Sequence, residues 1–309
     1  WRTRSRDRRA RTIRPMTRIG LLTAANMLAT HPSPRPDAWE HERQYEPMRR
    51  ACAARGIDLS VAIWDDPSLD ASAYDAFVIG TTWDYTAKPA LFLDTLERLS
   101  AKRPLLNPLR TVRWNLHKSY LNDLERRGAS IVPTLWRERA DGETIADAFG
   151  ELGADTIVVK PQIGAAAWRQ ALVRKGEALP HADLLPPGAC MIQPYLPAIA
   201  NEGEYSLVFF DRQFSHCALK TPAKGDYRIQ SMFGGSERAH TPGEADLAIA
   251  RAVLEGVEGP LLYARVDMVR GLDGALAVME LEVIEPYLYP DQGPRMGESF
   301  AAALRRLTT

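Results

Sequence analysis

Cysteine is scarce in this chain. Its 309 residues hold three, Cys52, Cys190 and Cys217, scattered and odd in number. They offer neither a disulfide framework nor paired metal-ligand spacing. A reducing cytoplasm is the expected setting, and a small buried hydrophobe the expected role of each. Long apolar runs are missing as well: none approaches the roughly 18 residues of a membrane span, and no secretory leader is expected. The chain also lacks Gly-x-x-x-x-Gly-Lys-Ser/Thr, Gly-x-Gly-x-x-Gly, a serine elbow and His-Glu-x-x-His. Those absences remove support from P-loop, dinucleotide-binding, serine-hydrolase and zinc-protease readings. The six histidines are dispersed and read as structural or surface residues, with His41 an outside candidate for substrate contact.

Net charge is zero, but unevenly spread. Residues 1–15 carry seven arginines against Asp7, a net of +6, so the remaining body carries −6. The chain opens at Trp1, and Met16 begins a strand-like Met-Thr-Arg-Ile-Gly-Leu-Leu. Residues 1–16 are therefore expected to be a disordered extension or tag. Nothing downstream supports a nucleic-acid arm or a transit peptide, and a mildly acidic body binds nucleic acid poorly. Hydrophobic content of 45% and charged content of 25% are ordinary for a globular chain long enough for two or three subdomains.

Short apolar runs alternate with helical spacing in the first third. Ile19–Leu22, Leu59–Trp64 and Ala76–Gly80 read as strands, Trp39–Arg55 and Pro89–Ser100 as helices. This alternation predicts a small parallel α/β layer with ligands at the carboxyl ends of its strands. Trp83-Asp84-Tyr85 follows the third strand and so becomes a candidate site edge. A carboxylate beside two aromatics suits a substrate ammonium; an aromatic-rich turn packing on its neighbour fits the same triplet. Further on, Val112–Arg127 reads as one amphipathic helix carrying Lys118. Thr156–Lys160, Cys190–Gln193, Tyr205–Phe210 and Gln213–Lys220 read as strands, and Gly297–Leu307 as a final helix.

The most informative segment is a hairpin: Ala264–Val269, a Gly271/Gly274 turn, then Val278–Val283. With a turn of two or four residues, Arg265, Asp267, Glu280 and Glu282 share one face, and Val266, Met268, Met279, Leu281 and Val283 the other. Asp267 then faces Val278 or Glu280. Clustered carboxylates repel across strands and need a counter-cation. Hard oxygen ligands at this density suit Mg²⁺ or Mn²⁺, ions that bring phosphates with them. A solvated polar sheet face fits the pattern equally well, and an odd-length turn would break the argument. Lys118, Lys160, Lys220, Arg228 and Arg265 together could clamp a polyphosphate, and the small-residue loop Gly164–Ala167 could close over it. Taken singly, each cation also fits a surface charge.

In order along the chain stand Lys118, Lys160, the small-residue loop, Gln193-Pro194-Tyr195-Leu196, Gly203-Glu204-Tyr205-Ser206, Lys220, Arg265-Val266-Asp267 and Glu280-Leu281-Glu282. This ordered set resembles the ATP-grasp carboxylate–amine ligases, the superfamily of D-alanine–D-alanine ligase and prokaryotic glutathione synthetase. A closer likeness is to the bacterial group containing the cyclo-ligase of cycloserine biosynthesis. It rests on Thr82–Tyr85, Leu106-Asn107-Pro108, Trp114–Lys118, Ser206–Phe210 and Glu282–Pro286.

The resemblance implies an ATP-grasp fold behind a parallel α/β layer. The expected divisions are a pre-ATP-grasp domain over 17–106, a small lid subdomain over 107–189 and a large subdomain over 190–309. It implies ATP and Mg²⁺ (or Mn²⁺) as cofactors. Lys118 and Lys160 would hold the α- and β-phosphates, the backbone of Gln193, Tyr195 and Leu196 the adenine, and Glu204 the ribose. Lys220 would reach the terminal phosphates, and Arg265 would stabilise the transferring phosphoryl group, with Arg228 beside the substrate carboxylate. Asp267, Glu280 and Glu282 would bind metal, and Trp83, Asp84, Tyr85 and Glu285 would line the substrate cleft. Gln193 stands where an acidic residue is usual, and Glu282 where Asn is common. The expected reaction activates a small-molecule carboxylate as an acyl phosphate and joins it to a nitrogen nucleophile. A small-molecule kinase or a non-catalytic nucleotide-binding regulator are the alternatives. Small molecules are the expected partners, without nucleic acid or membrane; a homodimer is left open.

Overall fold

The structure is a computed structural model and describes residues 16–164, 168–223 and 234–308. Residues 1–15 of the extension expected over 1–16, the loop residues 165–167 and Arg228 lie outside the described residues.

The first layer is a parallel sheet of β1 (Thr17–Thr23), β2 (Ile57–Ile63), β3 (Ala76–Ile79) and β4 (Leu105–Leu106), in the order β2-β1-β3-β4. Helices α1 (Trp39–Ala53) and α2 (Pro89–Ser100) connect its strands. Both faces are covered, which is why β1 and β3 are nearly unbroken apolar runs. Ile19, Leu21, Ala76 and Val78 face one core with α1, whereas Leu22, Phe77 and Ile79 face another with α2.

The expected helix over 112–127 is two: α3 (Leu109–Asn115) and α4 (Tyr120–Arg126). Lys118 sits in the break, its backbone N–H donating to Gln162 C=O at 2.8 Å. The side chains on either side are drawn out to strand Leu276–Glu282. Asn115 Nδ2 donates to Leu281 C=O at 2.8 Å, and the Tyr120 hydroxyl accepts from Leu281 N–H at 2.8 Å.

A second sheet follows, built from β5 (Leu135–Arg137), β6 (Thr156–Pro161), β7 (Ala171–Arg174) and β8 (Cys190–Pro194), with α5 (Gly142–Leu152) packed on it. Its order is β5-β8-β6-β7, all antiparallel. Asp141 caps α5 by accepting from Thr144 N–H at 2.9 Å. The expected boundary at 190 cuts through this sheet: β8 lies inside it, paired on both sides. The stretch carrying α4 belongs instead with the third sheet, where Tyr120, Leu121 and Leu124 are buried.

After the short helix α6 (Ala198–Asn201), the third sheet comprises β9 (Glu204–Phe210), β10 (Gln213–Thr221), β11 (Ser236–His240), β12 (Tyr263–Arg270) and β13 (Leu276–Glu282). Its order is β11-β10-β9-β12-β13, antiparallel throughout. Helix α7 (Glu244–Glu255) covers one face of it. The final helix, α8 (Met296–Thr308), returns to the first layer and packs with α1, so that one core joins Ile19 and Met48 to Val208, Phe210 and Phe300. Asn107 fastens the junction: Nδ2 donates to the carbonyls of Tyr263 (2.8 Å) and Val283 (2.7 Å), and Oδ1 accepts from Leu262 N–H at 2.7 Å. No described helix is long and apolar enough to cross a membrane.

Candidate active site

The site is assembled on β12 and β13. Arg265 lies opposite Glu282 and Asp267 opposite Glu280. Toward the turn the register shifts by one, with Met268 opposite Val278 and Arg270 opposite Leu276. The turn is odd: Gly271 N–H donates to Ala275 C=O at 2.8 Å, leaving Leu272, Asp273 and Gly274, the last at φ 81°. An odd turn alone would send Glu280 and Glu282 to the core face. A bulge at Met279 supplies the residue that restores the pairing. Met279 accordingly leaves the core face expected of it. Val278 takes its place beside Val266, Met268, Leu281 and Val283, and Met279 packs half-buried near Val132 and Leu196.

Asp267, Glu280 and Glu282 bring carboxylate oxygens within 4.8 Å of one another. Arg265 forks onto Asp267, Nη2–Oδ2 at 2.8 Å and Nε–Oδ1 at 3.0 Å, and also reaches Glu282. Its Nη1 donates to Tyr287 C=O at 3.1 Å. Lys220 Nζ lies 2.5 Å from Glu204 and 3.7 Å from Asp267. Lys118 pairs with Glu280. Burial opposes the charge on Asp267, but Arg265 and Lys220 overcome it and hold the carboxyl at about 2. At Glu282 burial wins: with Glu280, Asp267 and Glu285 nearby, Arg265 alone is too little, and the carboxyl is pushed up to about 8. Glu282 is therefore the member of the cluster whose charge is least compensated. Hard oxygen donors at this spacing fit a divalent ion such as Mg²⁺ or Mn²⁺, which would compensate it.

The second sheet faces this cluster with Lys160 at the end of β6. Its Nζ donates to Gln193 Oε1 on β8 at 2.9 Å. Burial lowers Lys160 to about 8, against the pull of Glu280 and Glu204 and with the push of Lys118. Burial also works against Lys118, but Glu280, Glu282 and Glu285 outweigh it and raise the ammonium. Tyr195 follows β8, its N–H donating to Thr156 C=O at 2.9 Å, and Leu196 is buried next to it.

The first layer contributes less than the sequence promises. Trp83 Nε1 donates to Glu285 C=O at 2.9 Å, and the Tyr85 hydroxyl bonds the Glu285 carboxyl, which burial pushes up to about 7. Asp84 is engaged elsewhere: Oδ1 accepts from Trp64 Nε1 at 2.7 Å and Oδ2 from Lys88 at 3.4 Å. Within the first layer Asp84 thus clamps its turn onto Trp64, with Lys88 shared between it and Asp65. His41 is buried, stacked on Tyr45 at 5.3 Å and bonded to Thr81 at 2.7 Å, and burial lowers it to about 4. That is a core histidine, not the substrate contact considered above.

Two further residues of the site take no role from the sequence, although Ser206 lies within the motifs that carry the resemblance. Ser206 donates to Asp267. Tyr289, at φ 47°, lays its ring under Lys220 (5.7 Å) and Arg265 (5.4 Å). Ser206 becomes visible only once β9 is known to pair with β12, since it lies directly opposite Asp267. Tyr289 sits in an irregular segment with no period to reveal it.

Comparisons with known proteins address the family and the fold. Residues 19–107 match the family model described as the D-cycloserine synthetase DcsG N-terminal domain. The chain is 33% identical over 262 residues to the cycloserine biosynthesis protein DcsG of Streptomyces lavendulae, covering 78% of this chain and 86% of that protein. The crystal structure of D-cycloserine synthetase DcsG superposes with a TM-score of 0.82 at 28% identity, over 94% of this chain and 100% of that one. D-alanine–D-alanine ligase from Bacillus anthracis shares the fold alone, with a TM-score of 0.64 at 15% identity over 94% and 97% of the two chains. The chain belongs to the ATP-grasp carboxylate–amine ligases, alongside DcsG, and is an ATP-dependent enzyme that forms carbon–nitrogen bonds.

Proposed function

We propose that the enzyme binds MgATP between the second and third sheets and activates a small amino-acid-derived carboxylate for attack by a nitrogen nucleophile. The observation that carries this is the convergence of Asp267, Glu280 and Glu282 within metal-ligand spacing, beside Lys118, Lys160, Lys220 and Arg265. ATP would supply the phosphoryl group that turns the carboxylate into an acyl phosphate. Lys118 and Lys160 would hold the α- and β-phosphates, and the chain from Gln193 to Leu196 would border the adenine, with Glu204 at the ribose. Lys220 and Arg265 would neutralise charge on the transferring group. Asp267, Glu280 and Glu282 would hold the divalent ion. Residues 17–106 act as the first domain and 134–194 as the lid. Glu285, with Trp83 and Tyr85, would edge the acceptor side. No enzyme nucleophile is needed; the protein positions groups and excludes water.

The name of the DcsG relative favours a carboxylate from the chemistry of cycloserine formation, and the reducing-compartment cysteines favour the cytoplasm. Purified protein with ATP, Mg²⁺ and a panel of amino acids, amines and aminooxy compounds, singly and in pairs, should release ADP and phosphate only when a carboxylate and a nitrogen nucleophile are both present, on two molecules or on one. Asp267→Asn and Glu280→Gln should abolish that turnover with the fold intact by circular dichroism. A stable phosphorylated product from one substrate alone would replace the ligase with a kinase. Full turnover in excess chelator would remove the metal role.

A further inference from the structure

Thr134 stands where the chain leaves the third sheet for the second. Two residues earlier, Val132 N–H donates to Val278 C=O on β13 at 3.0 Å. One residue later, Leu135 opens β5 opposite Ile192. The Thr134 hydroxyl donates to Val132 C=O at 2.6 Å and accepts from Gln193 Nε2 at 2.9 Å. Gln193 Oε1 in turn accepts from Lys160 Nζ at 2.9 Å.

Each proton in this series has only one direction to go. An ammonium donates and never accepts, so the amide oxygen of Gln193 must face Lys160. The amide nitrogen then needs an acceptor. Thr134 serves as one because its own proton is committed to the Val132 carbonyl. Gln193 is 2% exposed, which leaves little room for water to take over. Among the described residues no carboxylate lies within ion-pair distance of Lys160, so this amide oxygen is its polar anchor.

We propose that Thr134 is a positioning residue for nucleotide binding: it locks the Gln193 amide with its oxygen toward Lys160 and so holds that ammonium in place for phosphate. A carboxylate at position 193 would need no such lock, since both its oxygens accept. The neutral amide needs one, because its reversed orientation sets a donor against a donor. The lock also ties the lid lysine to β13, one residue short of the Met279 bulge.

The proposal rests on the assignment of Lys160 to nucleotide phosphate. Calorimetric titration of ADP with Mg²⁺ into wild type, Thr134→Val, Thr134→Ser, Gln193→Met and the Thr134→Val/Gln193→Met double variant tests it. Thr134→Val should weaken ADP binding roughly tenfold, the scale of one buried polar group left unsatisfied. Thr134→Ser should bind like wild type. Thr134→Val should cost nothing further in the Gln193→Met background, where no amide remains to orient. Wild-type affinity in Thr134→Val, an equal loss in Thr134→Ser, or an undiminished loss in the Gln193→Met background would each overturn the proposal alone. A wild type that binds no ADP would overturn the assignment of Lys160 and this proposal with it.

Discussion

Glu282→Gln should flatten the pH dependence of stability in the metal-free enzyme. In the folded protein, burial among Glu280, Asp267 and Glu285 moves the Glu282 carboxyl from its usual value of 4.5 up to about 8. The unfolded chain ionises it near the usual value. Stability from this group is therefore fully present below pH 4.5 and is lost as pH rises through about 8. A tenfold change in proton affinity corresponds to about 1.4 kcal/mol, which sets an upper bound of roughly 5 kcal/mol. The side chain is 28% exposed, and water reaching it brings the expectation down to about 2–3 kcal/mol. The assay is urea unfolding followed by tryptophan fluorescence in chelator, at pH 5 and pH 9, for wild type and variant. Other titrating groups act in both proteins, so the difference between the two slopes isolates Glu282. Millimolar Mg²⁺ at the higher pH should restore wild type more than the variant, because the ion offsets the charge that forms. Parallel pH profiles for the two proteins would refute the reasoning.

Lys118→Ala, Lys160→Ala and Lys220→Ala should each weaken nucleotide binding by about 1.5–3 kcal/mol, the range for one hydrogen bond to a charged group, as measured by calorimetry. Asp84→Asn should lower stability by about 1 kcal/mol through the lost Lys88 pairing and leave acceptor KM unchanged; a raised KM with intact stability would return Asp84 to the substrate cleft. Gly297→Ala should lower Tm and cost about 1–3 kcal/mol, because an added Cβ would overlap the Pro47 carbonyl where α8 crosses α1.

What the sequence reveals and what it hides follow from the range of the interactions involved. The parallel first layer is legible because its strands are covered on both faces and read as short apolar runs between helices. On β12 and β13 alternation makes Arg265 with Asp267, and Glu280 with Glu282, legible as same-face pairs; that the two pairs share a face is not legible, because the turn is odd and only the Met279 bulge restores the pairing. The single helix expected over 112–127 fails for a tertiary reason: Asn115 and Tyr120 bond to Leu281, far along the chain, and the helix breaks between them. Asp84 misleads for a similar reason: Lys88 is a local partner four residues on, but Trp64 reaches it only once β2 and β3 flank β1. The expected lid boundary falls one strand too early because nothing local tells Cys190–Pro194 which sheet it will join. Thr134 looks like any loop threonine until Gln193 is brought beside it.

The odd turn and the Met279 bulge carry a consequence for how relatives of this chain should be compared. The turn tip is exposed, Leu272 at 82%, so insertions and deletions there cost little packing. Each single-residue change in its length nevertheless reverses which face Glu280 and Glu282 occupy unless a residue near Met279 is gained or lost with it. Length changes in this hairpin must therefore come in pairs. An alignment that opens one gap in the turn and carries it through to Glu280 will match carboxylates to core residues. Counting back from Glu282, or forward from Arg265, recovers the equivalent positions whatever the turn has become.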